Sequence, residues 1–328
     1  MKRTLVTGGA GFIGSHLIDR LLTRGDHVLC LDNFCDAYDP AEKRANIAAH
    51  LQHPRYGLIE ADITDHEQIA GHVARYAPDV IVHLAARAGV RPSLDRPFLY
   101  ERVNVHGTLS VLEAARLAGA PRLVFGSSSS VYGLGAAAPF CEGAPLLTPA
   151  SPYAATKIAG EALCHSYAHL YPLQIASLRF FTVYGPRQRP DLAIRGFAER
   201  ILRGQPIQLF GDGSSARDYT HVDDITAGVL AAIDRDHPGH ELFNLGSAAP
   251  LRLGQLVEAI ERAVGRPAII ERSGDRPGDV PHTFADLTRA AEHLGYAPRV
   301  DFHDGLRDFI AWLTPRVRGA GAPSSGAR

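Results

Sequence analysis

A tyrosine and a lysine four residues apart, in Ser151-Pro152-Tyr153-Ala154-Ala155-Thr156-Lys157, are the first side chains whose types and spacing suggest chemistry. Ser151 can cap a helix and Pro152 suits its first turn. Tyr153 and Lys157 then project from one helical face about one turn apart. An ammonium beside a phenol favours the phenolate and lowers its pKa from the usual value of about 10. That would make Tyr153 a usable base near neutral pH. Taken alone, a Tyr-x3-Lys pair is common and more often marks a solvated helix face. A second patch, Phe125-Gly126-Ser127-Ser128-Ser129-Ser130-Val131-Tyr132-Gly133, puts a row of hydroxyls where a strand gives way to a loop. One of them could hydrogen-bond a substrate oxygen and align it with Tyr153; the plainer reading is a polar strand-to-loop transition.

The third signal gives the other two their meaning. Gly8-Gly9-Ala10-Gly11-Phe12-Ile13-Gly14 follows the apolar strand Thr4–Thr7 and opens a helical pattern that includes Ser15 to Arg24. Such glycines permit a tight turn, let backbone N–H groups approach a pyrophosphate, and let helix and strand pack closely. The positive end of the helix then faces the phosphate. Gly8, Gly11, Phe12, Ile13 and Gly14 are therefore candidate cofactor contacts. Asp32 and Asn33 join them at the end of the second strand. Asp32 can accept hydrogen bonds from the adenosine ribose hydroxyls and would repel a 2′-phosphate, which favours NAD over NADP. Asp62 and Ile63, just past the third strand, stand where an adenine edge would be gripped. Leu84, Ala85 and Ala86 supply small residues where the fourth strand passes the cofactor.

The elements that must position these groups alternate. His27–Leu31, Gly57–Glu60, Val80–Leu84, Arg122–Phe125 and Ile175–Arg179 read as further strands, separated by helical patterns such as Asn104–Leu117. Continuous apolar strands between helices predict a parallel sheet covered on both faces, whose carboxyl edge is the ligand edge. The expected fold is α/β: a Rossmann-type doubly wound parallel sheet with a smaller α/β substrate-binding domain. Residues 1–178 are assigned to the NAD-binding domain. Residues 179–315, punctuated by Gly and Pro, are assigned mainly to the second domain, with some segments able to return to the first. The tail 316–328 has too little apolar content to fold and is expected to be disordered.

Bulk properties exclude several classes. Of 328 residues, 45% are apolar and 21% charged, as in an ordinary globular protein, and the net charge of −1 gives no reason to expect nucleic acid or a membrane surface as partner. Glycine comes too early for a signal peptide, and no apolar run reaches membrane length. Four cysteines show neither metal-ligand spacing nor a disulfide framework, so a cytoplasmic location is expected. His165 and His169, one helical turn apart, lack a third ligand, and no metal site is expected.

Taken together, Gly8–Gly14, Ser128 within SSSSVYG, Tyr153–Lys157 and Arg217–Asp224 (RDYTHVDD) resemble the extended short-chain dehydrogenases that act on nucleotide sugars, over residues 1 to about 313. The resemblance implies a catalytic triad placed on Ser128, Tyr153 and Lys157, with Asn104 and Phe180–Val183 beside the nicotinamide. It implies that Arg217, Arg276 and Asp279 hold the diphosphate and ribose of a UDP-sugar. Within that group the chain looks most like UDP-glucuronate 4-epimerases, through Phe180–Pro186, Arg189-Pro190-Asp191 and Ala86–Arg91. Ser129 and Ser130 stand where related dehydratases and decarboxylases carry acids. The likeness assigns Ser128, Ser129, Ser130 and Thr182 to the sugar carboxylate and Arg189 to the UDP. It also implies a homodimer built on the helices Asn104–Leu117 and Ser151–Tyr171.

The reaction expected is NAD-dependent 4-epimerisation of a UDP-sugar through a transient 4-keto intermediate, UDP-glucuronate to UDP-galacturonate. UDP-glucose/UDP-galactose epimerisation is the neighbouring alternative. A non-catalytic dinucleotide sensor on the same fold is the alternative from another class.

Overall fold

The computed structural model describes residues 1–120, 122–145, 148–274 and 282–319. The chain opens with β1 (Arg3–Thr7), α1 (Phe12–Arg24), β2 (His27–Asp32), α2 (Pro40–Ile47), β3 (Tyr56–Glu60), α3 (His66–Tyr76) and β4 (Val80–His83). Next come α4 (Val90–Asp95), α5 (Pro97–Glu101), α6 (Gly107–Leu117), β5 (Arg122–Ser128), α7 (Pro152–Leu170) and β6 (Gln174–Phe180). The remainder contains β7 (Thr182–Tyr184), α8 (Ala193–Arg203), β8 (Pro206–Phe210), β9 (Ala216–His221), α9 (Val222–Asp234), β10 (His240–Leu245), β11 (Pro250–Arg252), α10 (Leu253–Val264), β12 (Ile269–Ser273), β13 (His282–Thr283), α11 (Thr288–Leu294) and α12 (Phe302–Gly319).

Seven strands form one parallel sheet in the order β10-β6-β5-β4-β1-β2-β3. Its strands are apolar on both faces because both faces are covered: Leu5, Val6, Ile81, Val82, Leu123 and Val124 are essentially inaccessible. One apolar layer joins the sheet to α1 and α9, and a second joins it to α3, α6 and α7. The strand order reverses between β1 and β4, so the crevice of a doubly wound sheet opens there. A third core packs α8, α10 and α12 with β8 and β9. A smaller sheet of β11, β9 and β13, with β7 against β9, stands beside the crevice.

One local feature was left open by the sequence and two differ from expectation. β10 completes the large sheet although it follows the smaller sheet's β9 in sequence, and α9 packs with α1 in the same layer. The helix expected from Asn104 begins instead with a π-helical turn, Arg102–His106, a form often found at functional sites. The expected disordered tail is helical through Gly319, since Val317 closes the third core; the rest of that tail lies outside the described residues.

Candidate functional site

At the carboxyl ends of β1, β2, β4 and β5 the chain encloses a cavity of about 570 Å³. Its first wall is the turn from β1 into α1. Gly8 has φ +69°, and a Cβ there would lie 2.7 Å from the Ala85 nitrogen. At Gly14 a Cβ would run into the Gly8 carbonyl. The turn is closed by Gly8 N–H donating to Leu31 O (2.8 Å) and Gly11 N–H to Gly8 O (3.1 Å). No side chain caps α1, so its first N–H groups are available to an anion.

Asp32 is buried and aimed before any ligand arrives, accepting from Ala10 N (3.1 Å) and Phe34 N (2.9 Å). Burial raises its pKa; Lys43 and those two N–H donors oppose the rise. Asp62 accepts from Thr64 N (2.9 Å), Thr64 Oγ1 (2.8 Å) and Asn33 Nδ2 (2.9 Å). Burial pushes its pKa up, but these donors outweigh it and hold the carboxyl below its ordinary value. Ile63, Leu84, Ala85 and Ala86 line the same cavity. The donor set fits a dinucleotide: open helix N-terminus, oriented carboxylate on the second strand, no room for side chains between.

The opposite wall carries the chemistry. β5 ends at Ser128 and tightens into the turn Ser129–Tyr132, so Ser128, Ser129 and Ser130 line the cavity with Thr182 and Arg189. Ser128 Oγ accepts from Ser130 N (3.2 Å) and donates to Ser130 Oγ (3.1 Å), and it lines the cavity together with Tyr153. Ser151 caps α7 by accepting from Ala154 N (3.1 Å), which fixes where Tyr153 begins the helix. Lys157 Nζ donates to the Gly126 carbonyl (2.6 Å) and lies 5.0 Å from the Phe125 ring centroid.

Electrostatically the pair differs from the expectation that Lys157 lowers Tyr153. Burial raises the Tyr153 pKa, and the groups pulling it back are the Ser128 hydroxyl and the Arg189 guanidinium. Lys157 itself is pulled down to about 8 by burial, with Glu161 opposing. Both groups are thus biased toward neutrality, because a dry site penalises either charge. Arg189 stays charged: burial opposes, but Asp191 beside it more than compensates.

Some expected site residues take other places. Asn104 does not line the cavity. Its Oδ1 accepts from Arg87 N (2.8 Å) and its Nδ2 donates to Arg87 O (2.9 Å) and Thr156 Oγ1 (3.0 Å). It therefore clamps the loop after β4 to α7, behind the wall. Arg217 is not part of the wall either. It sits on β9 opposite Leu251 and Thr283, two residues from Tyr219, the partner of Thr182, and donates Nη1 to Ala216 O (3.0 Å). Arg276 and Asp279 lie outside the described residues.

Other wall residues were not singled out from the sequence: Tyr38 and Lys43 after β2, and Arg102. Lys43 donates to Cys35 O (2.8 Å) and so shapes the loop beside Asp32. Its place on a polar helix carried no signal distinguishing it from a solvated lysine. Among the described residues no cluster of His, Cys, Asp and Glu could hold a metal ion, and no helix is long and apolar enough to cross a membrane.

This fold and site define a nucleotide-dependent enzyme of the extended short-chain dehydrogenase type. The chain belongs to the GDP-mannose 4,6 dehydratase family, whose model matches residues 5–309. It is 40% identical to a UDP-glucuronate 4-epimerase of Thermodesulfobacterium geofontis, across 95% of this chain and 96% of that one. It is 41% identical to UDP-glucuronate 4-epimerase 4 of Arabidopsis thaliana, across 94% and 74%. The crystal structure of UDP-glucuronic acid 4-epimerase from Bacillus cereus, in complex with UDP-glucuronic acid and NAD, superposes with a TM-score of 0.90 at 34% identity, covering 96% of this chain and 99% of that one.

Proposed function

We propose that the protein is an NAD-dependent UDP-sugar 4-epimerase that converts UDP-glucuronate to UDP-galacturonate. The observation that carries this reading is one cavity whose two walls are the dinucleotide turn and the Ser128–Tyr153 pair, with hydroxyls rather than acids at Ser129, Ser130 and Thr182. Relatives that bear the UDP-glucuronate 4-epimerase name support the choice of substrate.

Gly8–Gly14, Asp32, Asn33, Asp62 and Ala85 would hold the cofactor. When bound, NAD supplies the hydride acceptor and a positive ring that favours the Tyr153 phenolate. Tyr153 takes the 4-hydroxyl proton, with Ser128 aligning that oxygen and Lys157 contributing positive charge nearby. The 4-keto sugar, tethered through its UDP, turns in the cleft and accepts hydride on its other face. We assign Arg189 to the UDP, where a guanidinium fork matches a phosphate. Arg217, Arg276 and Asp279 are assigned to the same nucleotide on the family's pattern. Tight binding remote from C4 retains the intermediate during its rotation.

A 4-keto uronic acid is a β-keto acid, which loses CO₂ when the C5–carboxylate bond aligns with the carbonyl π system. Neutral donors at Ser129, Ser130 and Thr182 would pin the carboxylate out of that alignment. Incubation with UDP-glucuronate and UDP-glucose side by side, with products separated, tests the substrate. UDP-galacturonate from the first is expected; turnover of UDP-glucose alone would overturn the assignment.

A homodimer is supported by apolar side chains left exposed on the helices beside the site: Phe98 on α5, Leu109 and Leu117 on α6, and Leu170 on α7. Four unbridged cysteines accord with a cytoplasmic location.

A further inference from the structure

Behind the catalytic pair lies a second charged pair with no direct part in the chemistry described. Glu161 follows Lys157 by four residues, so Tyr153, Lys157 and Glu161 occupy one stripe of α7. Arg179 of β6 grips the Glu161 carboxylate through Nε (2.9 Å) and Nη2 (2.7 Å). Their side chains are 6% and 1% exposed. The free arm of Arg179 donates to Tyr132 OH (3.0 Å) and Glu142 O (3.2 Å).

The same carboxylate accepts from Ser127 Oγ at 2.6 Å. The end of β5 is consequently held at two successive residues by two residues of α7. Lys157 holds the Gly126 carbonyl and Glu161 the Ser127 hydroxyl, immediately before Ser128. Burying an ion pair costs several kcal/mol per ion in desolvation, and well-packed apolar residues often replace such a pair at no loss. Stability alone is a poor reason for these two charges to be there.

We propose that the Glu161–Arg179 pair is a positioning unit for the reaction: Glu161 is the counter-charge set one turn behind Lys157 and the anchor of the strand end that carries Ser128. The inference rests on the Tyr153–Lys157 chemistry of the reading above. Lys157, one turn after Tyr153 on α7, is surrounded by Glu161 and Cys164 of its own helix, by His83 of β4, and by the Phe125 ring and Gly126 carbonyl of β5. His83 is held neutral, its pKa driven to about 3 by burial and by Lys157 itself. Glu161 is therefore the anion placed to favour the charged lysine, and it opposes the burial that brings Lys157 down to about 8. Without that carboxylate, Lys157 would lose its proton at lower pH.

The test uses Glu161→Gln and, because that variant strands Arg179 and can fail to fold, the double variant Glu161→Leu/Arg179→Leu. Titration of the Lys157 ammonium is followed by NMR of ¹⁵Nζ-labelled lysine, assigned with Lys157→Arg. This readout needs no substrate, so a failure of the UDP-glucuronate assignment cannot be mistaken for a failure of this proposal. Melting temperature and bound NAD report on folding. A fall of about one pH unit in the lysine titration is expected, with the alkaline limb of kcat moving the same way. A folded, NAD-loaded double variant whose Lys157 titrates as in the unaltered protein would overturn the proposal and leave the pair purely structural.

Discussion

Burial opposes the charged form of both Tyr153 and Lys157, and that sets how activity and stability should follow pH. The lysine, at about 8 in the folded protein, has an ordinary value of 10.5. Between those values the unfolded chain holds a proton that the folded chain has released. Stability due to this group therefore rises with pH through that window, and below pH 8 its burial costs about 3 kcal/mol. Lys157→Met should then gain roughly that much more stability at pH 7 than at pH 10, read from urea midpoints. An equal effect at both pH values would contradict the burial account. Tyr153→Phe should lower kcat by about 10²–10⁴-fold with bound NAD unchanged, as measured on the denatured protein by absorbance. At this scale the sequence spoke clearly where chemistry fixes residue type: Ser128, Tyr153 and Lys157 all line one cavity. It was silent about Lys43 and gave no sign that Asn104 ties the loop after β4 to α7, because a buried amide that clamps a loop and one that touches a cofactor look alike in one dimension.

At the scale of elements, the site works because strand ends deliver short loops to one edge. Gly8→Ala would set a Cβ 2.7 Å from a backbone nitrogen in the loop after β4, at a φ that disfavours side chains. It should abolish NAD retention through gel filtration while leaving most secondary structure by circular dichroism. Asn104 ties that same loop to α7, and its loss leaves the Arg87 amide and carbonyl without these partners. Asn104→Ala should cost about 1–3 kcal/mol and reduce kcat more than it raises KM. Ser130→Glu should shift product from epimer toward the decarboxylated pentose nucleotide; an unchanged ratio would sink the carboxylate-pinning account. Period and punctuation made the strands of the first half readable, as well as the turn into α1. They could not reveal that β5 continues to Ser128, since serines break the apolar run while the ladder with β6 goes on through Ser128↔Phe180.

For the whole molecule, exposed apolar surface is the prediction to press. Phe98 is 88% and Leu109 37% exposed. If they meet a second copy, Phe98→Glu/Leu109→Glu should run as a monomer by light scattering while the unaltered protein runs as a dimer. Equal masses would remove the dimer proposal. The doubly wound sheet was legible from alternation alone; the return of the chain to it was foreseen only in general terms. Nothing in His240–Leu245 itself announces which sheet a strand will join, because that depends on the edge left waiting for it.

That edge has a consequence for synthesis. β6 leaves the ribosome well before its neighbour β10, with α8, β8, β9 and α9 made in between. At the usual elongation rates of about 5–20 residues per second, the nascent sheet shows an unpaired apolar strand for several seconds before Phe243 and Leu245 seal it. Such an edge is the surface on which another chain can pair. The interval between these two strands is therefore when a translating copy is most exposed to its neighbours, and when a holding chaperone would matter most.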